Sequence, residues 1–229
     1  MAKSETMPSP SNVPNSNIDD VLNDTEIGSV IAKNKYLFIF LVVGALLAVL
    51  GWGAYTHFKA ESDIKSNARI AEYKIGPLAN FAADKLEANG LLQEYSKLSV
   101  ELKGYNGLAT TLIVSADALI AKTKYNQALE LLNNGKAEFE QNMFLHYFIG
   151  IRLATIYEDQ GKVKLAIEEL RSINDRGTKL LEGKTYIDLG RLYLKSGDKE
   201  TAKANFEYVI DNIAENEFVK LAKLYLKDL

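Results

Sequence analysis

The chain has 229 residues, 47% of them hydrophobic and 25% charged, with a formal net charge of −3. That composition makes an ordered globular chain the default, and without a concentrated basic balance it argues against nucleic acid as a partner. Cysteine is absent, which removes thiol catalysis, disulfides and Cys-ligated metals.

Residues 1–17, "MAKSETMPSPSNVPNSN", hold three of the four prolines and several Ser and Asn. Such a stretch buries too little apolar surface to offset its chain entropy, which predicts a disordered tail. Asp19, Asp20, Asp24 and Glu26 follow, then Lys33 and Lys35, so residues 1–35 read as a disordered and acidic tail leading to a membrane.

From Tyr36 to Phe58 no residue carries a fixed charge. At about 1.5 Å per helical residue the segment reaches about 34 Å, enough to cross a hydrocarbon core of about 30 Å. Tyr36 and Phe38 stand at one end and Trp52 and Tyr55 at the other, the expected aromatic belt, with Lys35 and Lys59 outside them. A cleaved signal peptide is the competing reading, with Gly51-Trp52-Gly53 as its cleavage site, but the long, partly acidic leader favours an uncleaved anchor. The charge count leaves orientation open. Lys33 and Lys35 precede the span, while Lys59, Lys65, Arg69 and Lys74 follow it, a bias that leans against a cytoplasmic N-terminus.

Beyond Phe58 the charges nearly balance, Pro77 is the last proline, and glycines recur between apolar-periodic segments of helical length. This pattern predicts an all-α fold, with a pre-repeat helical segment over 59–104 and repeats over 105–229. Aligning the chain on Ala128, Ala166 and Ala202 gives copies 38 and 36 residues apart. Upstream of each turn lies a small residue, Ala116, Ala154 or Gly190, and the turn itself holds Thr123, Gly161 or Gly197. Leu132, Leu170 and Phe206 stand four residues after each alanine. Two antiparallel helices approach closely only where a side chain is small, and a bulky neighbour then fills the gap. One such hairpin cannot bury its apolar face alone, so neighbours stack.

The third copy, with Leu189, Gly190, Tyr193, Gly197, Ala202 and Phe206, resembles the tetratricopeptide repeat signature, while the first lacks the turn glycine. The expected architecture is therefore one transmembrane helix followed by a tetratricopeptide-like hairpin solenoid of about three repeats with a C-terminal capping helix.

Gly183-Lys184-Thr185 resembles the end of a phosphate-binding loop. However, Gly177 and Gly183 have five residues between them where the motif has four, and no strand-like run precedes them. The sequence contains no H-E-x-x-H, G-x-S-x-G or EF-hand pattern, and His57 and His146 read as structural or solvated. No catalytic, metal or cofactor site and no small-molecule substrate is expected.

In stacked repeats the first helix of each hairpin lines a concave face. On the third copy's register that face receives Ile113, Ile151 and Ile187, with Ile120, Phe148 and Leu194 beside them and Asp117, Thr155 and Arg191 between. These residues predict a largely apolar groove with few fixed charges, suited to loosely specific capture of exposed hydrophobic peptide. Alternatively the protein fills it with its own helices, residues 77–103 or 214–228, the latter with Phe218, Leu221, Leu224 and Tyr225.

Residues 36–229 resemble the YfgM-type ancillary subunits of the bacterial SecYEG translocon, most closely at "YNGLATTLIVSADALI" (105–120) and "LKSGDKETAKANFE" (194–207). The resemblance implies a single-pass inner-membrane protein with a cytoplasmic N-terminus and a periplasmic repeat domain. It would lie near SecYEG, periplasmic chaperones and nascent secretory proteins, as a chaperone or adaptor. A membrane-anchored scaffold for another envelope machine is the competing reading, and an import receptor with cytosolic repeats is a third that needs the opposite topology.

Overall fold

The computed structural model describes residues 30, 33–177 and 179–229. Most of the predicted tail, residues 1–29 with 31 and 32, lies outside the described residues. The chain divides into two compact units, residues 1–62 and 63–229. Every regular element among the described residues is helical, so the fold is all-α.

Helix α1 (Lys35–Tyr73) supplies the first unit. It is apolar on every side there, with Phe40 77%, Leu50 68% and Trp52 69% exposed. An amphipathic helix hides one face, whereas one that is apolar all round needs an apolar surrounding. Among the described residues it is the one helix long and apolar enough to cross a membrane.

The second unit opens with the last turns of α1 and continues through a π-helical segment (Lys74–Leu78) and the short α2 (Ala79–Ala82). Pro77, which has no N–H to give, sits inside the widened π turn. There follow α3 (Ala88–Glu101), α4 (Gly107–Ala121), α5 (Tyr125–Glu138), α6 (Met143–Asp159), α7 (Val163–Asp175), α8 (Glu182–Ser196), α9 (Lys199–Asn212) and α10 (Asn216–Lys227).

The hairpins α4/α5, α6/α7 and α8/α9 turn in the same way. The residue past the first helix takes a left-handed conformation: Thr123 at φ 55°, Gly161 at 72° and Gly197 at 87°. In the first turn the Thr123 amide donates three residues back to Ile120 at 2.8 Å, and Lys124 donates five back to Leu119 at 2.9 Å. The pairs Gly161→Glu158 and Lys162→Tyr157, then Gly197→Leu194 and Asp198→Tyr193, repeat it, each bond between 2.8 and 3.0 Å. This is the Schellman closure, which satisfies the last carbonyls of a helix.

The same closure occurs a fourth time. Asp84, at φ 59°, donates to Phe81 and Lys85 donates to Asn80 at 2.8 Å, turning the chain from α2 into α3. The segment read as pre-repeat therefore contains a hairpin turn of the repeat type. It carries no glycine to mark it, and Asp tolerates the left-handed region better than most residues.

Glycine or alanine sets how close the helices of each hairpin come. A Cβ on Gly190 would stand 2.4 Å from the Phe206 ring, on Gly135 2.3 Å from Leu112, and on Gly150 3.0 Å from Ile173. Ala116, Ala128, Ala166 and Ala202 are fully buried and Ala154 is 5% exposed. Gly183 belongs to this packing too, because its Cβ would meet the Phe218 ring of α10 at 2.6 Å. Thr185 beside it is buried and Lys184 reaches the Asp188 carboxylate at 2.5 Å, so the Gly-Lys-Thr triplet serves contacts within the fold.

Buried apolar clusters follow one another along the stack. The first joins the end of α1 to α6, the second joins α6, α7 and α8, and the third joins α8, α9 and α10. Within the first, the Tyr73 hydroxyl and Ser115 Oγ lie 2.8 Å apart, and Ser115 also donates to the Thr111 carbonyl, so these buried polar groups are satisfied.

Thr123 is β-branched and held in the left-handed region, a conformation worth roughly 1–2 kcal/mol of strain that glycine escapes at some entropic cost. Thr123→Gly is expected to raise the unfolding free energy by about 1 kcal/mol, read by urea denaturation. A loss of stability would show that the Thr123 hydroxyl bond to the Lys122 carbonyl outweighs the strain.

Candidate functional site

The first helices α4, α6 and α8 share one side of the stack, and that side falls into an open, a paired and a covered part. The open part is built by α4 and the N-terminal half of α6. Asn142 caps α6 by accepting from the Leu145 amide at 3.0 Å, which fixes the helix entry and sets Phe144 and Phe148 one turn apart on the same face. Phe144 is 65% exposed and Phe148 42%. With Ala109, Thr110, Ile113, Leu145 and Arg152 they line a cavity of about 320 Å³.

The paired part follows. Arg152 of α6 grips Asp117 of α4 with two hydrogen bonds, 2.6 and 2.8 Å, and donates a third to the Phe148 carbonyl. One hairpin on, Arg191 of α8 binds both oxygens of Glu158 of α6, one at 2.7 Å, and Lys195 adds a contact at 3.2 Å. A planar guanidinium bound to both carboxylate oxygens fixes orientation as well as charge. Ile151 lies in a cavity of about 210 Å³ walled by these groups, with Thr155, Glu158, Lys184, Asp188 and Arg191 in its lining. The sequence predicts few fixed charges here, and the face instead carries charges paired from one hairpin to the next. Register arithmetic on apolar positions alone does not reveal them, since each pair joins residues 33 or 35 positions apart.

The covered part lies at the C-terminal end. Ile187 is 4% exposed and belongs to a buried cluster with Phe206, Val209 and Ala222, against which Leu194, Phe218 and Tyr225 pack. The Phe206 and Tyr225 rings stack at 4.9 Å. The Ile113–Ile151–Ile187 ladder is thus not uniformly open: residues 214–228, the alternative filler offered by the sequence, pack at its Ile187 end. Ile113 and Ile151 are half-buried beside cavities, Ile120 packs against the first buried cluster, and Ile187 is core because α10 docks over it.

Among the described residues no group of three or more His, Asp or Glu gathers as metal ligands would. His146 is buried, with Nε2 lacking a hydrogen-bond partner. Burial first, then the charges of Arg176 and Lys136, hold its pKa below the ordinary value. Glu158 is held at about 2, chiefly by its hydrogen bonds from Arg191, with burial opposing and Lys195 assisting. What the face offers is shape and apolar area at one end and fixed charge in the middle.

The family described as a tetratricopeptide repeat-like domain matches residues 31–229. No curated protein matches the chain. Among solved structures, the crystal structure of MamA is similar at 16% identity and a TM-score of 0.41, over 65% of this chain and 91% of that one.

Two outcomes check the division of this face. Ile187→Ser removes buried methylenes and is expected to cost about 3 kcal/mol, whereas Phe144→Ser should change stability by less than about 1 kcal/mol. Equal melting losses would show that Phe144 is core or that Ile187 is open. For Glu158, a folded pKa below the ordinary 4.5 contributes stability above that value, which is lost as pH falls towards 2. Glu158→Gln should therefore melt lower than the natural chain above about pH 5, by about 1 kcal/mol in stability, and the two should converge near about pH 2. Parallel curves across that window would show that the pairing carries no stability.

Proposed function

The chain belongs to the tetratricopeptide repeat-like family, and from that premise we propose that it is a membrane-anchored adaptor holding an apolar stretch of a polypeptide partner between α4 and α6. The exposed Phe144 and Phe148 beside the 320 Å³ cavity carry this reading, because aromatics grouped around an apolar concavity offer a partner both area and shape to bury. The apolar α1 supplies the anchor.

The resemblance to YfgM-type subunits supports a finer reading. The protein sits in a bacterial inner membrane with its N-terminus cytoplasmic and its repeats periplasmic. There it serves the Sec translocon by holding emerging secretory chains or by recruiting periplasmic chaperones. The domain limits proposed on this basis are a tail to residue 35, a span over 36–58, a connecting segment over 59–104 and repeats over 105–229.

One observation favours the alternative, a scaffold for another envelope assembly. Ion pairs and α10 confine the apolar opening with exposed aromatics to the α4–α6 part of the face, and a short site suits one defined partner better than many unfolded ones.

Two measurements separate these readings. Protease added to spheroplasts should digest residues 63–229 while an N-terminal tag survives; protection of the domain would reverse the topology and remove the translocon reading. A photo-crosslinking amino acid at Phe148 should give many adducts that vanish when protein export is blocked. A single sharp adduct indifferent to export would select the scaffold.

A further inference from the structure

The open cavity continues into a charged neighbour. Asn142 and Phe144 also line a wider concavity of about 670 Å³, whose other walls include Glu138, Phe139, Glu140 and Met143. Glu138 and Glu140 line it without forming an ion pair among the described residues. Glu138 accepts from the Ser99 hydroxyl, at 3.0 and 3.1 Å to its two oxygens. No Lys or Arg lines this concavity. At the opposite end of the apolar floor Arg152 is neutralised by both oxygens of Asp117. The site is thus polarised, with two carboxylates that form no ion pair among the described residues at one end, Phe144, Phe148 and Ile113 in the middle, and a closed ion pair at the other.

We propose that the partner segment bound here is apolar with lysine or arginine at one end, the cationic end lying against Glu138 and Glu140 and the apolar side chains against Phe144 and Phe148. This rests on the adaptor reading above and gives its partner a chemistry. The apolar part supplies area but no direction, because hydrophobic contact is non-directional. The carboxylates supply direction. An opposite charge near them is attracted over about a Debye length, and a like charge is repelled, so a segment seated the other way round, or flanked by acids, is disfavoured. An acidic rim also disfavours an anionic lipid surface as the occupant of the same aromatics.

The test uses the full chain in lipid nanodiscs and two labelled synthetic peptides, one with a Leu/Phe core and two lysines at one end, the other with two glutamates in their place. Fluorescence anisotropy is expected to show the lysine peptide bound about tenfold more tightly in low salt, with the difference shrinking at about 0.5 M salt. Glu138→Gln with Glu140→Gln, checked for unchanged helicity by circular dichroism, should erase most of that preference and leave the glutamate peptide no weaker. Phe144→Ser with Phe148→Ser should weaken both peptides together. Equal binding of the two peptides by the natural chain would overturn the charge assignment while leaving the apolar site standing. Binding of neither would remove the adaptor reading and this inference with it. A dimer by light scattering that Phe144→Ser with Phe148→Ser dissolves would give the face to another copy of the chain and overturn the proposal.

Discussion

Gly190 lets α8 and α9 approach until a methyl group on it would overlap the Phe206 ring; Gly135 does the same against Leu112 in α4/α5, and Gly150 leaves a tight 3.0 Å fit against Ile173 in α6/α7. At that separation Phe206, Leu132 and Leu170 are buried between the helices. The turn must then reverse the chain within a few residues, which the left-handed residue and its two amide bonds achieve. A hairpin made this way buries only one of its faces. The other requires a neighbour, and the buried clusters accordingly run on from the end of α1 to α10.

The same requirement divides the first-helix face. A stack must end, and its last apolar face must be hidden; α10 does so by laying Phe218, Ala222 and Tyr225 over Ile187 and Phe206. Adjacent first helices are also tied by guanidinium–carboxylate pairs, Arg152 to Asp117 and Arg191 to Glu158. What remains for a partner is the stretch that neither the ties nor the terminal helix occupies, between α4 and the start of α6. A helix long and apolar enough to cross a membrane, α1, and a short apolar cavity in the repeats are the two features on which the proposed adaptor role rests.

Much of the architecture is legible in the residues because its physics is local. Ala128, Ala166 and Ala202 give the register, and Gly161 and Gly197 announce turns whose backbone conformation few other residues accept. The turns at Asp84 and Thr123 use the same geometry with residues that do not advertise it. Spacing therefore misses the Asp84 turn, and Thr123 reads as a defect in the repeat pattern. The candidate site was less legible. Phe148 and Ile113 follow from register, but Phe144 lies at the start of α6, outside the aligned repeat, and only the position of Asn142 as a cap hints that it points the same way. That Ile187 is hidden depends on where α10 docks. Its apolar stripe is plain in Phe218, Leu221 and Tyr225, yet a stripe does not name the surface that receives it.

The absence of cysteine makes the division between open and covered surface directly measurable. Single-cysteine chains with Phe148→Cys or Ile187→Cys, treated with a water-soluble maleimide under native conditions, differ only in whether solvent reaches that position. The cysteine at 148 should label at the rate of a surface thiol. The one at 187 should label only as fast as the fold opens, slower by roughly a hundredfold or more. Labelling of both at the same surface rate would contradict the covered end of the face, and protection of both would contradict the open site.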